Sequence, residues 1–299
     1  MVGRVVEIET DGRHLAINRG FLVVSEQHNE VGRVPLDDIA AVIANAHGLT
    51  YTNNALVELS ERGVPVVLCG RNHMPAAIVW PVDAHHLQTG RMNDQIAASL
   101  PLKKRLWAQL VRAKILAQGA ALAAVGAPHA GFFLLSRKVR SGDPDNVEAE
   151  AARRYWPLLM GAEFRRDKDG AGVNGLLNYG YAVLRAGVAR AVMAAGLHPS
   201  FGLMHSNRSN PMVLIDDLME PFRPSVDREV CGLIKSGTRE VDRDAKSALA
   251  RIMVLDLPTE MGLSPLMVCA ERLAQSLARA YAGETDKLDL PLAARPLEG

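Results

Sequence analysis

Only three cysteines, Cys69, Cys231 and Cys269, occur in 299 residues. Their odd number and wide spacing exclude a disulfide framework and a structural zinc site built from paired thiols, and they suit a reducing compartment. Long apolar runs are also missing. The longest apolar region, 176–204, is broken by Asn178, Arg185, Arg190 and His198, so it reads as a buried helix and not as a membrane span. The opening stretch MVGRVVEIETDGRH interleaves charges with valines and lacks the basic-then-apolar layout of a secretory leader, which predicts a cytoplasmic protein with no membrane role. Net charge is close to nil, at +1. Its distribution is uneven: lysine is absent from the first ninety residues, where acids outnumber arginines, whereas residues 100–170 carry thirteen Lys and Arg against seven acids. A polyanion, if one binds, meets the second region.

What is present supports a sizeable core, since 48% of the residues are apolar. The first eighty residues are rich in valine and isoleucine, with strand-like runs at 3–8, 14–18, 21–25, 31–35 and 39–44. Thr52 or Asn53 caps the run NNALVELSER, Gly63 ends it, and a strand-like VPVVLCG and a last short strand over 76–80 follow. This predicts a small β domain over 1–80. Polar, aperiodic residues 81–92 read as a linker, and the His85–His86 pair within them as loop and not as a metal site. From there Ala, Leu, Arg and Lys recur at helical spacing, as in LKKRLWAQLVRAKILAQGAALAAVG, which predicts a larger all-α domain over 93–285. The tail 286–299 holds prolines without a period and is expected to be loosely held. The predicted class is α+β.

Three stretches carry candidate chemistry. In NPMVLIDDLMEPFRP, Asn210 is a good N-cap and Pro211 a good first residue for a short helix that Pro221 and Pro224 stop at Glu220. A carboxylate at that negative helix end calls for a nearby cation. Asp216 and Asp217 both share a face with Glu220, and spacing does not separate them. The competing reading is a set of solvent-facing acids paired with Arg223 or Arg228. Upstream, His205 enters the same turn from which the acidic helix leaves. In SGDPDNVEAEAARRYW, Asp143 or Asp145 caps a helix whose face carries Glu148, Ala152 and Tyr155, although Asp145 and Glu148 equally fit a capping box. Glu150 projects roughly 160° away from Glu148 and serves a different face. Arg153 and Arg154 suit phosphate contacts. Two carboxylates and an imidazole without a thiolate suit Mg²⁺ or Mn²⁺. Beside a basic surface, such an ion points to phosphodiester chemistry.

At these motifs the sequence resembles the CRISPR-associated adaptation integrase, the universal DNA-capturing nuclease of those immune systems, and particularly its type II branch. Glu148, Ala149, Ala151, Ala152, Tyr155 and Trp156 match one element of that family, with Ala149 where many members have glycine. His205 matches its later histidine, and Asp217 to Glu220 its Asp-Leu-x-Glu/Asp element. Similarity in VPLDDIAAVI, NNALVELSERGVPVVLC and NGLLNYGYAVLRAGVARA extends over nearly the whole chain.

The resemblance implies an N-terminal β-sandwich-like domain, dimerisation through it, and an α-helical catalytic domain. It implies that Glu148, His205 and Glu220 hold Mg²⁺ or Mn²⁺, and it selects Asp217 over Asp216 as their supporter. The implied activity is insertion of short captured duplexes (protospacers) at a CRISPR repeat by transesterification from a DNA 3′-hydroxyl, with nuclease activity as its hydrolytic side. A small ferredoxin-like adaptation protein and the type II RNA-guided effector nuclease are the implied protein partners. Lys103, Lys104, Arg105, Arg137, Lys138, Arg165 and Arg166 are candidates for contacts to double-stranded DNA, and one of Tyr179 and Tyr181 could reach the site. The alternatives are a repair nuclease for branched DNA using the same site, and a non-enzymatic DNA-binding scaffold.

Overall fold

The computed structural model describes residues 3–70, 75–79, 81, 85–205, 207 and 209–292. Among the described residues eight strands come first: β1 (Arg4–Ile8), β2 (Arg13–Asn18), β3 (Phe21–Glu26), β4 (Asn29–Pro35), β5 (Ile39–Ala44), β6 (Thr50–Tyr51), β7 (Val66–Cys69) and β8 (Pro75–Val79). They form two four-stranded sheets, ordered β1-β5-β7-β8 and β4-β3-β2-β6. Two-residue turns close the β2–β3 and β3–β4 hairpins, at Arg19–Gly20 and Gln27–His28. All four turn residues have positive φ, as a right-twisted hairpin requires. One helix, α1 (Asn53–Glu61), lies between β6 and β7, and the Thr52 hydroxyl caps it at 3.1 Å from the Ala55 amide. Of the last strand expected over 76–80, Trp80 lies outside the described residues.

All six residues of β5 are buried, because a strand at the centre of a largely parallel sheet is covered on both faces. Ile39, Val42 and Ala44 join Leu15, Leu22 and Leu59 in the core between the sheets and α1, while Ala40, Ala41 and Ile43 face the helices that follow. A bulge opposite Arg4 and Val5 places Ala40 and Ala41 on the same side. The helical part is thus packed onto the sheet, and Arg190 fixes it by donating to the Ile39 carbonyl at 3.0 Å.

That part comprises α2 (Gln88–Ala97), α3 (Leu100–Ala124), α4 (Ala130–Lys138), α5 (Val147–Met160), α6 (Val173–Ala194), α7 (Val213–Met219), α8 (Arg223–Lys235), α9 (Arg243–Ala250) and α10 (Leu266–Tyr281). Three expectations need correction. Helix begins at Gln88, inside the expected linker, because the fully buried Gln95 amide bonds the His198 and Phe201 carbonyls and the His198 amide. The region is not all-α: β9 (Asp256–Thr259) and β10 (Gly262–Pro265) form a hairpin before α10. Residues 286–292 of the expected tail are held, with Leu288 buried and the Leu288, Asp289 and Leu292 amides bonded to Gln109, Ser276 and Pro258. Residues 293–299 lie outside the described ones.

Helices α3 and α6 organise the remainder, with α5 and α8 packed on α3, and α7 and α8 on α6. Gly180 sets the α6–α8 approach, since a Cβ there would lie 2.5 Å from Val226 Cγ1. Among the described residues no helix is long and apolar enough to cross a membrane.

Candidate active site

The turn before α5 decides where Glu148 points. Asp143 and Asn146 both adopt the left-handed conformation, at φ +49° and +52°, and the two Asp143 carboxylate oxygens accept the Val147 and Glu148 amides at 3.0 Å each. Asp143 is therefore the cap. Asp145 instead makes a bidentate pair with Arg140, at 2.8 and 2.7 Å. Freed from a capping box, the Glu148 carboxylate reaches Lys114 on α3, with Oε1 2.6 Å from Nζ.

Glu220 closes α7 as its last capping residue, as the two prolines suggested. Pro224 nevertheless opens a helix: it sits in the first turn of α8, where a missing N–H costs nothing. The Asn210 side chain does not cap α7 directly; it accepts the Met212 amide at 3.0 Å and so shapes the turn ahead of it. Glu220 is 8% exposed. One of its oxygens accepts from Arg223 Nε at 2.9 Å, while Oε2, with no hydrogen-bond donor aligned on it, lies 2.5 Å from Lys114 Nζ. Burial pushes this carboxyl up, but Arg223 and Lys114 outweigh it and bring its pKa down to about 2. Burial likewise works against the Lys114 ammonium, and the Glu220 and Glu148 charges more than compensate, so its pKa is raised.

Asp217 is fully buried and fully engaged. Its Oδ2 accepts the Leu203 and Met204 amides at 2.7 and 3.1 Å, and its Oδ1 lies 2.5 Å from His205 Nδ1. Gly202 makes this wrap possible, since a Cβ there would sit 2.4 Å from Val213 Cγ1 and 2.5 Å from the His205 carbonyl oxygen. An ionised carboxylate only accepts, so Nδ1 carries a proton, and whenever the ring is neutral its lone pair is on Nε2. The bond to Asp217 raises the His205 pKa against the effect of burial, with the Glu148 and Glu220 charges adding to the rise. Trp107 meets the imidazole edge-on at 5.1 Å between centroids. Asp216 points elsewhere, into a bidentate pair with Arg185 at 2.8 and 2.9 Å and a bond from Asn210 at 2.7 Å.

Behind Glu220 lies a third buried acid. Asp227 accepts from the Tyr155 hydroxyl at 2.9 Å and from the Tyr181 hydroxyl at 2.5 Å. Burial raises its pKa, and the two tyrosine bonds hold the rise to about 6. The Arg223 and Arg166 guanidinium carbons lie 4.8 and 5.3 Å from the Tyr181 ring centroid. Tyr179 instead bonds Glu7 of β1, so of the two tyrosines only Tyr181 reaches the site.

A cavity of about 630 Å³ opens on this cluster, lined by Arg166, Tyr181, Arg185, His205, Glu220 and Arg223 among others. A second of about 330 Å³ shares Arg166, Lys168, Glu220 and Arg223 and reaches Lys114. Of the seven basic residues singled out for DNA, Arg166 alone lines either. Lys103 and Lys104 are half-buried, and Arg105, Arg137, Lys138 and Arg165 are exposed. Arg165 donates to the Ala162 and Phe164 carbonyls, and Arg137 stands over Phe133.

The structure thus brings Glu148, His205, Asp217 and Glu220 to one place. Reading by motif missed Lys114, Lys168 and Asp227. The last leaves a trace in the sequence, an acid on the apolar stripe of FRPSVDREVCGLI. Among the described residues no three His, Cys, Asp or Glu side chains converge as a formed metal site, and the Lys114 ammonium stands between the two glutamates. The donors nonetheless fit a hard divalent ion: two carboxylates drawn onto one cation and an imidazole oriented by a carboxylate on its far nitrogen.

The family model for CRISPR associated protein Cas1 matches residues 6–253. A CRISPR-associated endonuclease Cas1 of Neisseria meningitidis serogroup C (strain 8013) is 35% identical, over 96% of this chain and 94% of its own. Among solved structures, a casposase bound to integration product aligns over 96% of this chain and 92% of its own, with a TM-score of 0.79 and 19% identity. A Cas6-RT-Cas1–Cas2 complex aligns over 98% of this chain and 36% of that one, with a TM-score of 0.73 and 18% identity. At such identities the structural likenesses show the fold.

Proposed function

The chain belongs to the Cas1 family of CRISPR-associated proteins, and from that premise we propose that it is a divalent-metal-dependent DNA endonuclease and integrase that inserts short captured DNA fragments into a CRISPR array. The observation that carries this reading is the convergence of Glu148 and Glu220 on one cation, 2.6 and 2.5 Å from the Lys114 ammonium, beside an imidazole whose Nε2 is left available by Asp217. Glu148, His205 and Glu220 hold Mg²⁺ or Mn²⁺, and Asp217 fixes the ring. When bound, such an ion polarises a phosphoryl oxygen and lowers the pKa of an attacking hydroxyl or water.

The chain's own residues do the rest. Arg166, Lys168 and Arg223, on the cavity walls, meet the charge of the phosphodiester. Tyr181, held by Asp227, keeps Arg223 and Arg166 against its ring, which orders both guanidinium groups before DNA arrives. A fragment's 3′-oxygen attacks the phosphorus at the repeat boundary. One P–O bond forms as the in-line P–O3′ bond breaks; the attacking hydroxyl gives up its proton to solvent and the displaced oxygen takes one up to leave as a new 3′-hydroxyl, so no nucleoside triphosphate is needed. Water in the attacking position gives hydrolysis, the nuclease side of the same chemistry.

The assembly named in the Cas6-RT-Cas1–Cas2 structure supports joint action with a small ferredoxin-like partner. Two copies of the present chain paired through their β domains, working with a type II effector, complete the proposal. A repeat-bearing plasmid, a short duplex and the partner protein test it. Insertion at the repeat boundary is the expected product; degradation alone would favour a repair nuclease.

A further inference from the structure

Lys114 has no part in the motifs that mark the site, yet it occupies the centre of it. Its side chain is 14% exposed, and the ammonium touches one oxygen each of Glu148 and Glu220. Those contacts leave the two oxygens at most about 5 Å apart, and oxygens bound to one Mg²⁺ at about 2.1 Å are at most about 4.2 Å apart. The lysine thus holds the glutamates near the spacing that an ion demands, from the place the ion would take. Both cations do not fit there together. Lys114 also lines the smaller cavity with Arg166, Lys168 and Arg223, where a phosphate would lie. A displaced ammonium therefore has an anionic partner within a side-chain swing.

We propose that Lys114 is the resident counter-cation of this site: it holds Glu148 and Glu220 together before the metal arrives and yields its place to the metal, moving onto a DNA phosphate. This rests on the reading that Glu148 and Glu220 hold the metal. Metal affinity is then low in the free protein and rises with DNA, because DNA takes up the ammonium that metal displaces; by linkage, metal strengthens DNA binding by the same factor. The device protects against idle hydrolysis, since the site loads fully only with its substrate present.

Mn²⁺ binding to the full-length protein, followed by the loss of the free-ion electron paramagnetic resonance signal, tests this without any turnover. In the absence of DNA, Lys114→Met is expected to bind Mn²⁺ at least tenfold more tightly than wild type, and Lys114→Arg no more tightly than wild type. A short duplex with 3′ overhangs is expected to raise wild-type Mn²⁺ affinity at least fivefold and that of Lys114→Met less than twofold. In EDTA, Lys114→Met is expected to melt below wild type and to regain the difference with Mn²⁺. Equal or weaker Mn²⁺ binding by a folded Lys114→Met overturns the proposal. So does a wild-type affinity that DNA leaves unchanged, a result independent of whether the methionine variant folds. Glu220→Gln separates the two levels. If it abolishes Mn²⁺ binding while Lys114→Met changes nothing, the metal assignment stands and the lysine's role falls; if it leaves Mn²⁺ binding intact, the metal assignment falls and the lysine's role with it.

Discussion

His205 Nδ1 lies 2.5 Å from Asp217 Oδ1, and the other oxygen of that buried carboxylate holds the Leu203 and Met204 amides, so one side chain fixes both the imidazole and the loop that carries it. Asp217→Asn keeps the shape but offers one oxygen where three donors converge. Strand joining is expected to fall 10- to 100-fold, the usual cost of removing a carboxylate that orients a ligand. Asp217→Ala is expected to destabilise the fold by about 3 kcal/mol, through orphaned buried amides. Asp216→Ala removes only the Arg185 and Asn210 contacts, and joining is expected to stay within about threefold of wild type. Urea unfolding and a joining assay on the three variants check this contrast.

Asp227 gives stability an unusual pH dependence. Its folded pKa, about 6, is above the ordinary aspartate value of 3.8. Below that lower value both states hold the proton, and the group has no effect on folding. As pH rises toward 6 the unfolded chain ionises first, so stability is lost across this window, by about 3 kcal/mol in all. Asp227→Asn removes the titration. Between pH 4 and pH 7 the unfolding free energy of wild type is expected to fall by about that amount relative to the variant. Parallel curves for the two proteins would contradict it.

Tyr179 and Tyr181, two positions apart, have opposite duties. Tyr179→Phe breaks a bond to Glu7 at the sheet, and the expected result is a loss of about 1 kcal/mol in stability with joining within twofold of wild type. Tyr181→Ala removes the ring beneath Arg223 and Arg166, and joining is expected to fall at least tenfold. Single-turnover joining at saturating DNA, together with thermal melting, distinguishes them.

The basic residues near the site separate in the same way. Arg166 lines both cavities, whereas Arg137 and Arg165 are exposed and line neither. Arg166→Ala is expected to weaken DNA binding about tenfold and to reduce the slope of log affinity against log salt by about one. Arg137→Ala is expected to leave that slope unaltered. Fluorescence anisotropy across a salt series gives both numbers.

The strands were legible because valine and isoleucine runs are set apart by residues that tolerate positive φ, such as Gly20 and His28; their pairing into hairpins was not read. Glu148, His205 and Glu220 stood out as candidates because chemistry is concentrated in three short stretches, whereas helical spacing left Asp216 and Asp217 equivalent and only the family resemblance selected Asp217. Lys114 was not: in LKKRLWAQLVRAKILAQG it is one of several cations on a helix, and its partners lie 34 residues away at Glu148 and still farther at Glu220. Helical spacing could not choose between Asp143 and Asp145 as the cap, because left-handed residues at 143 and 146 decide which carboxylate faces the amides. Pro224 read as a terminator, since a proline excluded from one helix interior is equally at home in the first turn of the next. The β9–β10 hairpin escaped because strands of four residues, with Pro258 and Pro265 among them, leave no alternation to read.

The most direct measurement is strand joining by Glu220→Gln in Mn²⁺ at saturating DNA, with DNA affinity measured on the same protein. Glu220 adds negative charge beside Arg223 and Lys114, so its loss does not remove a cation from the DNA surface, and it is one of two carboxylates held on the cation position. The account predicts DNA affinity in EDTA within about threefold of wild type and joining in Mn²⁺ reduced by at least about a thousandfold, the scale expected when charge stabilisation at the reacting phosphate is lost. Joining by this variant within tenfold of wild type would contradict it.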